Sequence, residues 1–357
     1  MAGTDAPVNV YRSFIKKRAI FIVFSLVILI FISMYSLLVG SSRLDCRTVV
    51  EALIGKGAEK AQAIIWNIRL PRVLMATVAG AGLALSGLIT QTVLRNPLAS
   101  PFTLGISSAA AFGAALAIVS GVCGVTLKTA LGGFQITNFY VVIISAFVFS
   151  LIATFAILTI SKLKGMSPAV TVLAGLAILF LFSAATSLIQ YFGTIEQVAA
   201  IIFWLFGSLS KTTWISLEVM SFVFFICLFA SYRCCWKLNA LYLGDEIAKS
   251  LGVDAKRLRL VGMITASLLT ATAVSFLGVI SFVCLVSPHI ARLVLGSDHR
   301  YLIPSSCLVG ACLLLTADTA SRTMFLPLTL PVGILTSFFG VPLFLYLIVK
   351  RGENVWW

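Results

Sequence analysis

Charged side chains are scarce in this chain. Asp, Glu, Lys and Arg together make up 11% of its residues, well below the about 25% that soluble domains carry. Hydrophobic residues make up 60%, and the mean hydropathy is +1.08. These values exclude an ordinary soluble domain and predict a polytopic membrane protein.

Residues that do chemistry are scarce as well. The chain has two histidines, His289 and His299, and no His-Glu-x-x-His or Gly-x-Ser-x-Gly motif. The segment from Gly121 to Thr129 misses the spacing of a nucleotide-binding phosphate loop. We therefore expect no catalytic residues, no metal site and no cofactor in this chain. If ATP drives it, another subunit binds the nucleotide.

Cysteine motifs are missing too. The eight cysteines include no Cys-x-x-Cys pair and have no histidine at ligand spacing. Most lie in apolar runs, where free cysteine packs as a small hydrophobe. Cys46 and Cys123 fall in loops predicted on the same face, and whether they pair is left open.

Ten apolar runs of helix length follow one another along the chain, separated by clusters of Gly, Pro, Ser and charge. We predict membrane spans over residues 19–38, 70–94, 104–122, 138–161, 168–190, 212–234, 259–276, 279–296, 303–321 and 330–349. The predicted fold is all-α, with about ten transmembrane helices in a single domain over residues 1–357.

The basic residues set the predicted orientation. The formal charge is +14, which can indicate a nucleic-acid partner, but the basic residues lie in loops between the apolar runs. With the N-terminus inside, about 17 of them fall on one face and about 9 on the other, so both termini are predicted to be cytoplasmic. This leaves a cytoplasmic segment at 1–18, an extracytoplasmic segment at 39–69 and a cytoplasmic region at 234–258. The protein is expected in the cell membrane.

The second apolar run has unusual borders. It begins with Arg69-Leu-Pro-Arg72 and is followed by a loop that contains Asn96-Pro97-Leu98. Small residues recur on one helical face of this run, at Ala76, Gly80 and Ala84. Such a face allows neighbouring helices to approach closely, which predicts a position at the crowded centre of the bundle.

A short amphipathic helix is predicted in the cytoplasmic region. Asp245 and Glu246 favour a helix N-terminus, and Gly252 suits the left-handed residue that closes a helix. Leu243, Ile247, Ala248 and Leu251 would share one face. Two interpretations remain: a helix that lies on lipid headgroups, or a docking element for a cytoplasmic partner.

One predicted ionisable pair lies at the outer end of the ninth span, with Asp318 inside the span and Arg322 just beyond it. Asp318 and Arg322 are four residues apart and can form an ion pair on one helix face. No chain of buried carboxylates crosses the membrane, which argues against a proton-coupled pump. An ion-gradient-driven secondary transporter remains the alternative function, and a membrane-embedded enzyme is a weaker one.

These motifs, in this order, resemble the permease subunits of ATP-binding-cassette (ABC) importers of the FecCD type, which carry iron–siderophore complexes, haem or cobalamin. The resemblance runs from about Trp66 to Arg351. It rests on Arg69-Leu-Pro-Arg72, Gly80-Ala-Gly-Leu-Ala-Leu-Ser-Gly87, Arg95-Asn-Pro-Leu-Ala99, Leu243-Gly-Asp-Glu, Ser250-Leu-Gly252, Pro288-His289, Asp298-His-Arg300, Ala317-Asp318 and Leu330-Pro-Val-Gly333.

The resemblance implies a type II importer permease fold and a set of partners. These are a second permease subunit, identical or not, two ATPase subunits that bind ATP, and an extracytoplasmic substrate-binding protein, besides membrane lipid. Nucleic acid is not expected. The cargo would be an iron chelate, haem or cobalamin, with oxyanions also open.

The resemblance also implies roles for individual residues. Arg69, Arg72 and Arg322 would form an outer basic pocket that receives acidic residues of the binding protein, although headgroup anchoring stays open. The coupling helix against the ATPase would comprise Leu243, Gly244, Asp245, Glu246, Ile247, Ala248, Leu251 and Gly252. The cytoplasmic gate would comprise Asn96, Pro97, Leu98, Ser167 and Pro168. The chain departs from the family pattern at Cys284, Ser287 and Thr329.

Overall fold

The computed structural model describes residues 5–40, 44–121, 125–128, 133–136, 138–325 and 328–351. Cys123, whose pairing with Cys46 was left open, lies outside these ranges, and Cys46 is a free thiol. The described helices are Asp5–Leu38 (α1), Cys46–Leu53 (α2), Glu59–Ile64 (α3), Leu70–Val93 (α4), Ile106–Val119 (α5), Phe139–Leu163 (α6), Pro168–Phe192 (α7), Ile195–Leu205 (α8), Trp214–Arg233 (α9), Cys235–Leu243 (α10), Asp245–Ser250 (α11), Ala255–Leu277 (α12), Val283–Leu295 (α13), His299–Thr323 (α14) and Val332–Arg351 (α15).

The all-α class is confirmed, and the structure adds further elements. A π-helical turn at Ile65–Arg69 joins α3 to α4. A two-stranded antiparallel hairpin pairs Val125–Lys128 (β1) with Gly133–Ile136 (β2), which the sequence did not predict. Helix α8, between the fifth and sixth predicted runs, was also missed.

Each of the ten predicted runs contains one helix, but the helices differ in length. Over the described residues, seven are long and apolar enough to cross a membrane, and the remaining three, α5, α13 and the apolar part of α15 (Val332–Tyr346), are shorter. Helices α5 and α13 have 14 and 13 residues. At 1.5 Å per residue, these two cover about 20 Å of a hydrocarbon core that is about 30 Å thick. Irregular backbone precedes each of them, at 94–105 and 278–282. Parts of it are buried in protein, where irregular backbone is tolerated: Ser100 and Ile280 are 0% and 1% exposed, whereas Leu98 is 51% exposed.

Local sequence explains where several helices begin. Thr194 and Thr213 form capping boxes at the starts of α8 and α9. Asp254 and Asp298 accept backbone hydrogen bonds at the starts of α12 and α14. Pro168 occupies the first turn of α7, where no backbone donor is needed. The Thr and Asp side chains thus accept hydrogen bonds from backbone N–H groups that have no partner within their helices.

Helix α4 lies at the centre of the bundle, and 83% of the residues in the apolar stretch that it forms are buried. It packs directly against α14: a Cβ placed on Gly80 would lie 2.4 Å from the Gly310 carbonyl oxygen. The Cβ of Ala84 would be 2.5 Å from a Cβ placed on Gly310. The close approach predicted for the small face is therefore confirmed at Gly80 and Ala84.

The bundle has two polar ends. At one, which we call the Arg72 end, the start of α4 meets the ends of α1 and α14. At the other, the Arg259 end, the end of α4 meets α10, α11 and the starts of α12 and α14. Helix α1 lies at the rim of the bundle, and only 11% of the residues in its apolar stretch are buried.

Candidate functional site

The Arg72 end contains a buried ion cluster. Asp318 is 0% exposed and accepts hydrogen bonds of 2.8–3.1 Å from Nε and Nη2 of Arg72. Arg322 forms the second ion pair with the same carboxylate, with Nε 3.1 Å from Oδ2. The structure thus brings together the predicted pair of Asp318 and Arg322 and adds Arg72, which crosses from α4.

Two arginines at this end, Arg69 and Arg322, form hydrogen bonds with the C-terminal end of α1. Arg69 donates from Nη1 to the carbonyl oxygens of Leu37 and Leu38, at 2.6 and 3.0 Å. Arg322 donates to the backbone and hydroxyl oxygens of Ser36. The carbonyls at a helix C-terminus have no partner within the helix and attract cations. These contacts attach a helix that is otherwise poorly packed.

Burial qualifies the predicted docking role of these arginines. Arg69, Arg72 and Arg322 are 4%, 9% and 7% exposed. They share one end of the bundle, as predicted, but their guanidinium groups contact this chain. Acidic residues of a partner could touch them only by displacing Asp318 or the end of α1.

The Arg259 end presents α11, the predicted coupling helix. It runs from Asp245 to Ser250, so Leu243, Gly244, Leu251 and Gly252 of the predicted set flank the helix, and a Schellman motif closes it. In that motif Val253 N donates to Ala248 O at 2.8 Å and Gly252 N donates to Lys249 O at 3.0 Å, with Gly252 at φ +75°.

Three apolar side chains project from this region. Leu243, Ile247 and Leu251 are 61%, 44% and 64% exposed. Ala248 corrects the prediction: it is 0% exposed and faces the bundle instead of sharing the outer face. Gly244 sits between α10 and α11 at φ +131°, a conformation that side chains rarely adopt.

The two predicted gate segments lie at the same end. After α4, the Asn96 side chain accepts a hydrogen bond of 2.9 Å from Leu98 N, and Leu98 is 51% exposed. Before α7, Ser167 is the N-cap residue and its carbonyl accepts a 2.9 Å bond from the Thr171 hydroxyl. Pro168 follows as the first residue of the helix.

Arg259 connects these segments to the coupling helix. Its Nε donates to Val93 O and its Nη1 to Met166 O, both at 2.8 Å. Its Nη2 donates to the Asp245 carboxylate at 2.9 and 3.2 Å, and the arginine is 1% exposed. One guanidinium therefore contacts the end of α4, the residue before Ser167 and the start of α11.

Sequence reasoning missed this role. Arg259 served only as one of the basic residues that set orientation. A signal was available, because an arginine inside a predicted span is a functional suspect by default.

A second polar node joins α1, α10 and α14. Asp298 accepts hydrogen bonds from Arg300 at 2.7 Å and Asn239 at 3.1 Å, and Arg18 lies 3.4 Å away. Partial burial opposes the charged form of Asp298. The hydrogen bonds from Arg300 and Asn239 outweigh that effect and lower the pKa of Asp298 to about 2.

An apolar cavity of about 640 Å³ lies between the end of α8, the 278–282 segment and α15. Its polar side chains are Ser281 and Ser337. The backbones beside it are tightly joined, since Gly333 N donates to Phe206 O at 3.1 Å. No group of three or more His, Cys, Asp or Glu residues that could hold a metal ion occurs in the described part of the chain.

Comparison with known proteins adds independent information. The model of the FecCD transport family matches residues 27–350. A putative ABC transporter permease protein, MJ0087, of Methanocaldococcus jannaschii is 47% identical over 345 residues, which cover 97% of this chain and 98% of that protein. The hemin transport system permease protein HmuU of Yersinia pestis is 40% identical over 332 residues, covering 93% and 96%.

A solved structure has the same fold. It is an inward-facing conformation of a putative metal-chelate type ABC transporter, with a TM-score of 0.80 and 32% sequence identity. The similarity covers 92% of this chain and 98% of that one.

Proposed function

Because the chain belongs to the FecCD transport family, whose members are permeases of ABC transporters and not enzymes themselves, we propose that it imports a metal chelate through an ATP-driven complex. The observation that carries the mechanism is the contact of Arg259 with the coupling helix and with backbone carbonyls that precede both gate segments. The nucleotide would bind to two ATPase subunits, and the cargo would arrive on an extracytoplasmic binding protein.

The ATPase would dock on α11. Leu243, Ile247 and Leu251 form an apolar surface outside the spanning helices, and exposed apolar groups of this kind mark protein interfaces. The acidic residues Asp245 and Glu246 lie in the first turn of α11, next to this surface in the sequence. The Gly244 hinge and the Schellman motif allow α11 to move as a small rigid unit against α10 and α12.

Arg259 would transmit this motion to the gate. When the ATPases displace α11, Asp245 pulls on a guanidinium that also holds Val93 O and Met166 O. Met166 directly precedes the segment Ser167–Pro168, and Val93 lies three residues before the segment Asn96–Leu98. The two gate segments would therefore respond together, because they share one donor.

The binding protein would dock at the Arg72 end, which is extracytoplasmic under the predicted orientation. Arg69, Arg72 and Arg322 carry three positive charges against the single charge of Asp318. The net positive field attracts a carboxylate-bearing partner without direct contact, since electrostatic complementarity mainly speeds encounter.

The cargo would pass beside the cavity at α8 and α15, where a second permease subunit would complete the wall. The cavity is mostly apolar, and its two serines are weak ligands for a metal. A bulky chelate would therefore stay intact and bind weakly, as a conduit requires. An iron–siderophore complex, haem and cobalamin all fit this description.

The test uses the complex reconstituted in vesicles with its ATPase and binding protein. We expect ATP-dependent uptake of a metal chelate, and we expect Ile247→Asp to release the ATPase during purification. Ile54→Asp is the matched control, because Ile54 is 67% exposed at the opposite end. Uptake that persists without the ATPase and follows an ion gradient would instead support a secondary transporter.

A further inference from the structure

A separate cavity of about 220 Å³ opens at the Arg259 end. It lies between the loop after α4, the end of α10 and the last turn of α13. Its lining consists of Gln91, Arg95, Asn96, Pro97, Tyr242, Leu243 and Arg292. The proposed transport mechanism does not use Gln91, Arg95 or Arg292, although Arg95 opens the Arg95-Asn-Pro-Leu-Ala99 motif.

The cavity is positively charged and lacks a counter-ion. Among the residues that the structure describes, no carboxylate comes within 4.0 Å of the guanidinium nitrogens of Arg95 or Arg292. The acidic residue closest in sequence to the lining, Asp245, is engaged by Arg259. The cavity therefore has two guanidinium groups available to an external anion.

Two buried polar atoms in this lining have no hydrogen-bond partner within the described ranges. They are Nε of Arg292 and Oε1 of Gln91, whose residue is 1% exposed. The other end of the Gln91 amide is used, since Nε2 donates to Leu285 O at 3.5 Å. The Arg292 guanidinium carbon lies 5.8 Å from the centre of the Tyr242 ring, within the range of a cation–π contact. Buried polar atoms are normally paired, so this arrangement points to a ligand.

We propose that the cavity binds a tetrahedral oxyanion of the phosphate class. Guanidinium groups match the geometry of phosphate oxygens with paired N–H donors. Hydrogen phosphate also carries a P–OH group, which can donate to Oε1 of Gln91. A carboxylate ionised at neutral pH has no such donor. The cavity volume of about 220 Å³ accommodates one phosphate and a few water molecules, since a water molecule takes about 30 Å³.

The occupant would join two elements. Arg95 follows α4 and begins the predicted gate loop, and its backbone has φ +49°, which is rare for a residue with a side chain. Arg292 belongs to α13. An oxyanion between them would hold the gate loop against the last turn of α13. The phosphate could be free or could belong to the headgroup of an anionic lipid.

Calorimetric titration of the detergent-purified chain, without partners, tests the free ion. Sodium phosphate at constant ionic strength should give saturable binding. Arg292→Gln and Arg95→Gln should each weaken it at least about tenfold, the usual scale of a charge-assisted hydrogen bond. Gln91→Met should weaken hydrogen phosphate but not sulfate, which has no proton to donate. Arg257→Gln is the matched control on exposed α12 surface and should change nothing.

The second arm distinguishes the lipid source. Native mass spectrometry should show phosphatidylglycerol retained by the wild type, lost in Arg292→Gln and displaced by phosphate if the headgroup is the occupant. Retention of neither ligand by a folded wild-type protein would overturn the proposal, as would unchanged binding in the Arg95 and Arg292 double variant. Loss of ATPase association as the only effect of these variants would also overturn it and would indicate a protein contact.

Discussion

Replacement of Arg259 should separate ATP hydrolysis from transport. Arg259→Gln removes every charged contact to Val93 O, Met166 O and Asp245. Arg259→Lys keeps the charge but replaces a rigid fork with a single point, which cannot reach all three acceptors. Asp245→Asn removes only the negative charge of the link to α11, so that at most a neutral hydrogen bond remains there, and leaves the bonds to the two carbonyls in place.

The expected stabilities differ among these variants. A hydrogen bond from a charged donor contributes about 1.5–3 kcal/mol, so the two buried carbonyl contacts together account for about 3–6 kcal/mol as an upper range. The Asp245 side chain is 47% exposed, so its contact with Arg259 should add at most about 1 kcal/mol. Arg259→Gln should therefore melt well below the wild type, Arg259→Lys should be intermediate, and Asp245→Asn should be close to the wild type.

The coupling of ATP hydrolysis to transport should not follow these stabilities, because it depends on the link between Arg259 and α11. In vesicles that contain the complete transporter, we expect Asp245→Asn to hydrolyse ATP at near-normal rates while moving several-fold less cargo per ATP. Arg257→Gln, on the exposed side of the same helix turn, is the control for loss of charge alone. If Asp245→Asn transported with the wild-type ratio, Arg259 would be a structural clamp and the transmission argument would fail.

Three further outcomes are expected from the fold. Gly310→Ala should lower the melting temperature strongly, because a Cβ there would lie 2.4 Å from Gly80 O, whereas Gly193→Ala, with its nearest contact at 3.4 Å, should not; equal melting would contradict the close packing of α4 and α14. Asp318→Asn should destabilise the protein by about 3–5 kcal/mol, measured by reversible unfolding in mixed micelles, since it leaves two buried arginines without a counter-ion. The pKa of Asp298 is lowered from 3.8 to about 2, so its stabilising effect is present above about pH 4 and is lost as the pH falls towards 2. The difference in melting temperature between wild type and Asp298→Asn should therefore shrink over that interval, and a constant difference would refute the assignment.

Local patterns predicted the elements well and their contacts less well. The ten apolar runs each contain a helix because hydrophobic length and Gly, Pro and charge breaks are local signals. The closure of α11 by Gly252, just beyond its last residue Ser250, followed from glycine's access to positive φ. The inward position of Ala248 did not follow, because α11 is too short for its periodicity to show which face packs against the bundle. Helix α8 lies close to the fifth apolar run, and its apolar composition did not reveal it as a separate element.

The arginines show the same division more sharply. Their placement in Arg69-Leu-Pro-Arg72 and at Arg322 predicted a shared end of the bundle, but the sequence could not show that they turn inward to Asp318 and the end of α1. Arg259 differed from Arg257 only in being the first residue of a predicted span, which marks it as a suspect but does not show which acceptors it meets. Its partners come from the end of α4, from the segment before α7 and from α11, which are far apart along the chain.

The sequence by itself determined that this protein lies in a membrane, that it is helical and which family it belongs to. Each of these depends on composition, hydrophobic length and motifs that the chain carries locally. Only the tertiary structure decided which charges pair, which face outward and which lack a partner. Those properties depend on acceptors supplied by other helices, and burial makes a bond or its absence energetically important only once the helices have packed.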